Sequence, residues 1–375
     1  MLASALCMRA QSADLLSHIR EKMSGILQRQ PNYTCTETIE RTRQVVGGRA
    51  RIEDTLRLEV ALVDGKEMFA WPGSKQFEDH DLGELVSTGM FGNGNFAIYA
   101  RILFLSNVAV FEDRGEAQLD GHPAWRYDFR VSSATGGSRL RVDGHEAVVG
   151  FHGSFYADPT TFEVLRIEIV AEDIPAELKI LDAETVVDLG RLRIGDEEYL
   201  LPVGSQLMMA MPDVVDRNSV RFSSCRKFTG ESVLLFNDPI LTDTPARVAP
   251  REIEIPPGLT LQLEIPDLDL TQAAVGDPVR AVLWADLKNR RELLAPKGSI
   301  VGGRIVELER TLSYFSLKIR FQDLDWPGGH ASLKLSFDRT AFATRLVGRQ
   351  ADGAILISRQ AGPHLSGILM FWRSE

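Results

Sequence analysis

The sequence predicts a mainly β protein in two units. The first is an N-terminal helix followed by a many-stranded antiparallel sheet with a helical insertion, and the second is a smaller all-β barrel or sandwich. Three observations predict this. Apolar residues recur at three- and four-residue spacing near the start and again before residue 105, whereas the other patterned stretches alternate with period two. Pro239, Pro245, Pro250, Pro256 and Pro257 crowd one interval that has little periodicity. The chain is 375 residues long, enough for two domains at about 100–200 residues each.

Composition narrows the function classes. A chain 44% hydrophobic and 25% charged is neither disordered, nor collagen-like, nor a small disulfide scaffold. No apolar run approaches the ~20 residues of a membrane-spanning helix. Acidic residues outnumber basic ones by 52 to 42 for a net charge of −10, and no dense Lys/Arg run interrupts them. Nucleic acid is therefore not an expected partner.

Residues 1–12 read as a signal-peptide remnant or a disordered tail. The start is small and apolar, with Ala3-Ser4-Ala5 or the stretch Ala10 to Ala13 as a cleavage region, but it lacks a charged leader. Cys7 has the bulky Leu6 before it, which argues against lipidation. The first domain is expected over 13–236. Its helix runs from Ala13 to Gln30, with Leu15, Leu16, Ile19, Met23, Ile26 and Leu27 on one stripe and Pro31 as the stop.

Strands follow. Leu56, Leu58, Val60 and Leu62 share one face; so do Trp125, Tyr127, Phe129 and Val131, and then Leu165, Ile167 and Ile169. Turn residues lie between them at Asp64-Gly65, Asp120-Gly121, Asp143-Gly144 and Asp158-Pro159. The helical insertion spans about Glu78 to Leu105, with Ile98, Ile102 and Leu105 as its stripe. A linker is expected over 237–257 and the second domain over 258–375. There Leu259, Leu261, Leu263 and Ile265 alternate with polar residues, as do Phe315, Leu317, Ile319 and Phe321. Gly302-Gly303 marks a bulge of the kind that closes small barrels.

Of the three cysteines, Cys35 and Cys225 each sit in a strand-like run. Export would leave this pair to bridge the first and last strands of the first domain. By loop entropy such a bridge is worth roughly 4–5 kcal/mol. A cytoplasmic protein would instead carry two free thiols.

Catalytic motifs are scarce. The seven histidines are scattered, and no Gly-x-Ser-x-Gly elbow accompanies them. His145 and His152 flank a turn without the spacing of a metal site, so no metal is expected. Gly92-Asn93-Gly94 lacks the Lys-Ser/Thr of a phosphate loop, and no cofactor is expected. Asp158 and Glu168 are the best carboxylates for a hydrolase. Yet Asp158-Pro159-Thr160 reads as a turn, and outward acidic residues on strands usually form a solvated face.

Apolar surface is the stronger signal. Leu207-Met208-Met209-Ala210-Met211 is apolar on both strand faces, and Trp71, Phe91, Phe96, Phe104 and Phe111 add bulk nearby. Such a sheet needs a cover or a ligand. Methionine suits flexible acyl chains, although the same residues also serve as core.

Two segments carry a family resemblance: Asp120-Gly121-His122-Pro123-Ala124-Trp125-Arg126-Tyr127, and Gly153-Ser154-Phe155-Tyr156-Ala157-Asp158-Pro159-Thr160 running into Val164-Leu165-Arg166-Ile167-Glu168. Over residues 13–235 the chain resembles the LolA-type periplasmic lipoprotein carriers and related sensor domains. The resemblance implies a curved antiparallel half barrel with a helical lid, a bacterial periplasmic or otherwise exported location, and an acyl ligand. Pro257-Gly258-Leu259-Thr260, Val275-Gly276-Asp277-Pro278-Val279 and Pro296-Lys297-Gly298-Ser299-Ile300-Val301-Gly302-Gly303 resemble the β-barrel domain of TrbI-type secretion-channel proteins. That likeness implies a unit which docks to another envelope protein.

The expected function is thus non-enzymatic binding of a lipid, lipoprotein or amphipathic peptide. Trp71, Phe155, Leu207, Met209 and Met211 are the expected lining. The alternatives are an envelope assembly protein acting through flat interfaces, or a hydrolase using Asp158 or Glu168.

Overall fold

The computed structural model describes residues 2–74, 77, 96–142, 145–228, 251–265, 267–341, 346–350 and 353–375. Phe91 and Gly92-Asn93-Gly94 of the expected insertion lie outside them, as does most of the expected linker. Two compact units result: residues 1–52, 58–70 and 74–229, then residues 53–57, 71–73 and 230–375.

In the first unit α1 covers Leu2–Gln28, so the helix starts well before the Ala13 expected. Ile19, Met23 and Leu27 are its buried stripe, at four-residue spacing. Strands β1 (Tyr33–Val45), β2 (Arg51–Val63) and β3 (Lys66–Ala70) precede α2 (Phe96–Leu105), the helical part of the insertion. After it come β4 (Val110–Leu119), β5 (His122–Val131), β6 (Ser138–Val142), β7 (His145–Ala157) and β8 (Val164–Glu172). Three long strands close the unit: β9 (Asp182–Ile194), β10 (Glu197–Ala210) and β11 (Val214–Lys227).

These strands form one eleven-stranded sheet in the order β3-β2-β1-β11-β10-β9-β8-β7-β5-β4, with β6 on β7. It curls into a half barrel. The first strand therefore pairs with the last, and Cys35 is disulfide-bonded to Cys225.

Two hairpins show local chemistry setting the register. Asp64 and Gly65 have φ of 51° and 79°, and Asp120 and Gly121 have 51° and 84°. Two successive positive φ values match the right-handed twist of paired strands, and Asp-Gly supplies them with little strain. Val63 accordingly faces Lys66, and Leu119 faces His122.

The second unit is also β. Its strands are β12 (Arg251–Glu252), β13 (Thr260–Ile265), β14 (Leu268–Asp269), β15 (Pro278–Leu283), β16 (Leu287–Asn289), β17 (Glu292–Ala295) and β18 (Ile300–Arg310). They continue with β19 (Tyr314–Trp326), β20 (Gly329–Ser332), β21 (Leu335–Thr340), β22 (Leu346–Arg349), β23 (Ile355–Ser358), β24 (His364–Leu365) and β25 (Ile368–Ser374). A ten-stranded sheet has the path β12-β20-β19-β18-β15-β13-β25-β21, with β23 joining β19 to β22. The β18–β19 register slips between Gly302 and Gly303. A Cβ on Gly303 would lie 2.6 Å from the Phe321 ring, so the bend admits only glycine without a shift. Trp372 centres the core, edge-on to Phe321 at 5.0 Å and Phe337 at 5.4 Å.

Candidate functional site

Register places one continuous row of side chains across the inner face of the half barrel. Tyr127, Phe155, Ile167, Val187, Ser205, Val220 and Ile39 are successive partners on β5, β7, β8, β9, β10, β11 and β1. The next row is Phe129, Gly153, Ile169, Thr185, Leu207, Asn218 and Arg41. Both rows are apolar over β5, β7 and β8. The first then carries Ser205 on β10 before Val220 and Ile39, while the second gains polar groups toward β11 and β1, at Asn218 and Arg41.

The apolar part is covered by helices. Ile19, Met23 and Leu27 of α1, with Leu103 and Phe104 of α2, pack in one cluster with Tyr127, Phe129, Phe151, Phe155, Ile167 and Ile169. Phe155 is its centre: stacked on Tyr127 at 5.3 Å, and edge-on to Phe104 at 5.3 Å and Phe111 at 5.9 Å. Its side chain is fully buried.

The other expected lining residues divide. Leu207 and Met209 share the inner face of β10 with Ser205 and are almost fully buried. Met209 packs against Leu178 and Ile180, in the segment joining β8 to β9. Met211 is half-buried in the β10–β11 turn, where its N–H donates to the Val214 carbonyl at 2.8 Å. Trp71 belongs to the second unit. There the Arg304 guanidinium lies 5.4 Å from its ring centroid, and a Cβ on Gly276 would come within 2.6 Å of that ring. The structure thus brings Phe155, Leu207 and Met209 to one face, puts Met211 in the turn beyond it and groups Trp71 with the second unit.

The polar part contains residues the sequence reading passed over. Glu37 is on β1 two residues from Ile39, on the same face, and opposite Phe222. It is fully buried, and neither carboxylate oxygen has a hydrogen-bond partner among the described residues. Burial alone pushes its pKa up to about 8. The Ser205 hydroxyl is buried and likewise has no hydrogen-bond partner among the described residues. Farther along, the buried Asp216 accepts two hydrogen bonds from Arg43, at 2.7 and 2.8 Å. Charged residues on either side of Ile39 at the inward positions of Glu37-x-Ile39-x-Arg41 were the available signal.

Two cavities flank this face. One, of about 20 Å³, is lined by Tyr33, Cys35, Val60, Leu62, Glu67, Pro202 and Phe222, and has room for about one water. The other is a cleft of about 640 Å³ bordered by Lys22, Ile26 and Arg29 of α1 and by the β9–β10 hairpin. Its wall includes the buried Glu163, held by Lys22 at 3.6 Å and by Arg191.

The carboxylates weighed for hydrolysis have local partners. Asp158 accepts the N–H groups of Thr160 at 2.7 Å and Thr161 at 2.8 Å, which hold its carboxyl below the usual aspartate range. Glu168 lies on the opposite face of β8 from Ile167, with Tyr156 donating to it at 3.4 Å. Among the described residues no group of three or more His, Cys, Asp or Glu side chains could hold a metal ion. No described helix is long and apolar enough to cross a membrane.

No protein-family model and no curated protein matches the chain. Among solved structures it is similar to a LolA superfamily protein from Nitrosomonas europaea, at 11% identity over 56% of this chain and 92% of that one, with a TM-score of 0.29. It is also similar to a DUF1329 family protein from Desulfovibrio piger, at 12% identity over 57% of this chain and 92% of that one, with a TM-score of 0.30. A third is a domain assigned as an outer membrane lipoprotein-sorting protein from Vibrio parahaemolyticus, at 10% identity over 56% and 92%, with a TM-score of 0.32.

Proposed function

We propose that the first unit is a non-enzymatic carrier that takes up an acyl chain of a lipid or lipoprotein, or the apolar face of an amphipathic peptide. One observation carries this reading: the apolar inner face of an open curved sheet is covered by two helices, α1 and α2, rather than by a second sheet. Helices packed by side chains alone can move away without breaking a strand ladder. The ligand then replaces their apolar contacts at ~25 cal/mol per Å², about 0.8 kcal/mol for each buried CH₂. Phe155 is the floor of this path, and Leu207 and Met209 extend it along β10. Methionine adapts to chains of different shape.

A bacterial periplasmic or otherwise exported location fits the Cys35–Cys225 disulfide, a bond that oxidising compartments preserve. The second unit would dock to another envelope protein. The local partners of Asp158 and Glu168 favour binding over hydrolysis.

A second reading has its own support. The cluster around Phe155 is fully packed, as in an envelope assembly protein whose apolar faces are all core. Native mass spectrometry of the exported protein, followed by lipid extraction, separates the two. The carrier copurifies with acyl species that a detergent displaces; an assembly protein gives a clean apo mass.

A further inference from the structure

The inner face carries more than an acyl chain requires. A purely hydrocarbon ligand has no use for Glu37 and Ser205, yet both face inward with Phe155 and Ile167: Ser205 in their row, and Glu37 two residues along β1 from that row's end at Ile39. Each is more than nine-tenths buried, and neither has a hydrogen-bond partner for its side-chain oxygens among the described residues. The small cavity is lined by neighbours of Glu37: Cys35 is two residues from it on β1, and Phe222 is its cross-strand partner. Burying polar atoms without partners is costly. A ligand atom that completes them therefore binds with a gain the hydrocarbon alone cannot supply.

We propose that Glu37 is the seat for an uncharged acyl carbonyl, the ester or amide oxygen at the head of an acylated ligand. This rests on the carrier reading and names its ligand class. The protonated carboxyl donates its O–H to the carbonyl oxygen while the acyl chain runs from β1 toward β7 over Val220, Leu207 and Ile167. A carboxyl kept neutral by burial is the state that donates. Among the described elements around it, the inward ionisable groups are Tyr33, Arg41 and Arg43 on β1, Asp216 on β11 and Glu67 on β3. Arg43 is paired with Asp216. Within the first unit the inward positions of β2 are Leu58, Val60 and Leu62, all apolar. No charge among these groups contributes to the shift at Glu37, which comes from burial.

The test uses the full chain and displacement of the neutral dye N-phenyl-1-naphthylamine by three probes of matched chain length. These are 1-oleoylglycerol (ester), N-oleoylglycinamide (amide) and 1-octadecene (no acceptor). The expected result is at least tenfold tighter binding of the ester or amide than of the hydrocarbon at pH 6.5, with the preference falling above pH 8. Glu37→Leu should erase the preference while leaving octadecene binding intact. Glu37→Gln keeps a donor and should retain a preference that no longer changes with pH; circular dichroism confirms that both variants are folded. The better of the ester and amide distinguishes a glycerolipid from an N-acylated polypeptide as the source. Equal binding of all three probes by the wild type overturns the seat but leaves the carrier standing. An unchanged preference in Glu37→Leu overturns it as well. Failure of every probe to displace the dye overturns the carrier reading and the seat with it.

Discussion

Cys35 on β1 is disulfide-bonded to Cys225 on β11, so the first and last strands of the half barrel are covalently joined across a sequence separation of 190 residues. The bond lies beside the irregularity between Thr34 and Thr36, where the β1–β11 register shifts. It constrains the unfolded chain more than any local contact in the unit does.

Loop-closure entropy gives such a bond an upper stabilisation of about 5 kcal/mol. The Cys35→Ser/Cys225→Ser variant is expected to unfold at clearly lower denaturant concentration than the oxidised wild type. The wild type in reductant should fall to the same midpoint. Urea titrations with and without dithiothreitol check this, and equal midpoints for all forms would remove the bond from the stability of the fold.

Glu37 predicts a pH dependence with a definite sign. Its folded pKa, about 8, lies above the ordinary glutamate value of 4.5, so the folded state holds a proton that the unfolded state releases. The contribution is complete below pH 4.5 and is lost as pH rises toward 8, at up to about 1.4 kcal/mol per pH unit. Above pH 8 it is level. Glu37→Gln should flatten that stretch of the stability curve, which denaturant midpoints between pH 5 and 9 would reveal.

Gly153 sits in the inner-face row between Phe129 and Ile169, where a Cβ would come within 1.8 Å of the Glu168 carbonyl oxygen. That neighbour is backbone and cannot step aside. Gly153→Ala should cost about 3 kcal/mol or more, read as a drop in thermal midpoint. Gly121→Ala, where nothing lies within 4 Å of the added carbon and only the positive φ objects, should lose less.

Met209 separates packing from uptake. Met209→Ala leaves a gap against Leu178 and Ile180 and should destabilise the unit by roughly 2–3 kcal/mol. Met209→Asp places a charge on the proposed path and should abolish acyl copurification. Secreted Met209→Asp protein that retains its acyl species would remove Met209 from the path.

Much of the first unit was legible because its signals are local. Asp64-Gly65 and Asp120-Gly121 announce their hairpins because positive φ at two successive positions is a property of those residues alone. The buried stripe Ile19-Met23-Leu27 follows from helical spacing, although the helix itself begins earlier than its apolar pattern. The inward side of β5 could be read from Tyr127, Phe129 and Val131. Glu37 escaped the same reading because β1 alternates Thr, Glu and Arg around Ile39, and that pattern has little apolar contrast. Trp71 could not be assigned either, since grouping residues 71–73 with the second unit depends on contacts more than 200 residues away in sequence.

By itself the sequence determined the class of the strongly patterned elements, several of the turns between them and which of their side chains share a strand face. Those are consequences of backbone sterics and of a two- or three-to-four-residue period, which act within a few residues. Only the tertiary structure decided the register of β1 on β11, which side chains of α1 and α2 lie over Phe155, and that a carboxyl without a partner among the described residues sits two residues along β1 from that row's end at Ile39. These depend on which distant surfaces exclude water from each other. Burial of that kind is a property of the assembled sheet, because no single strand can bury its own face.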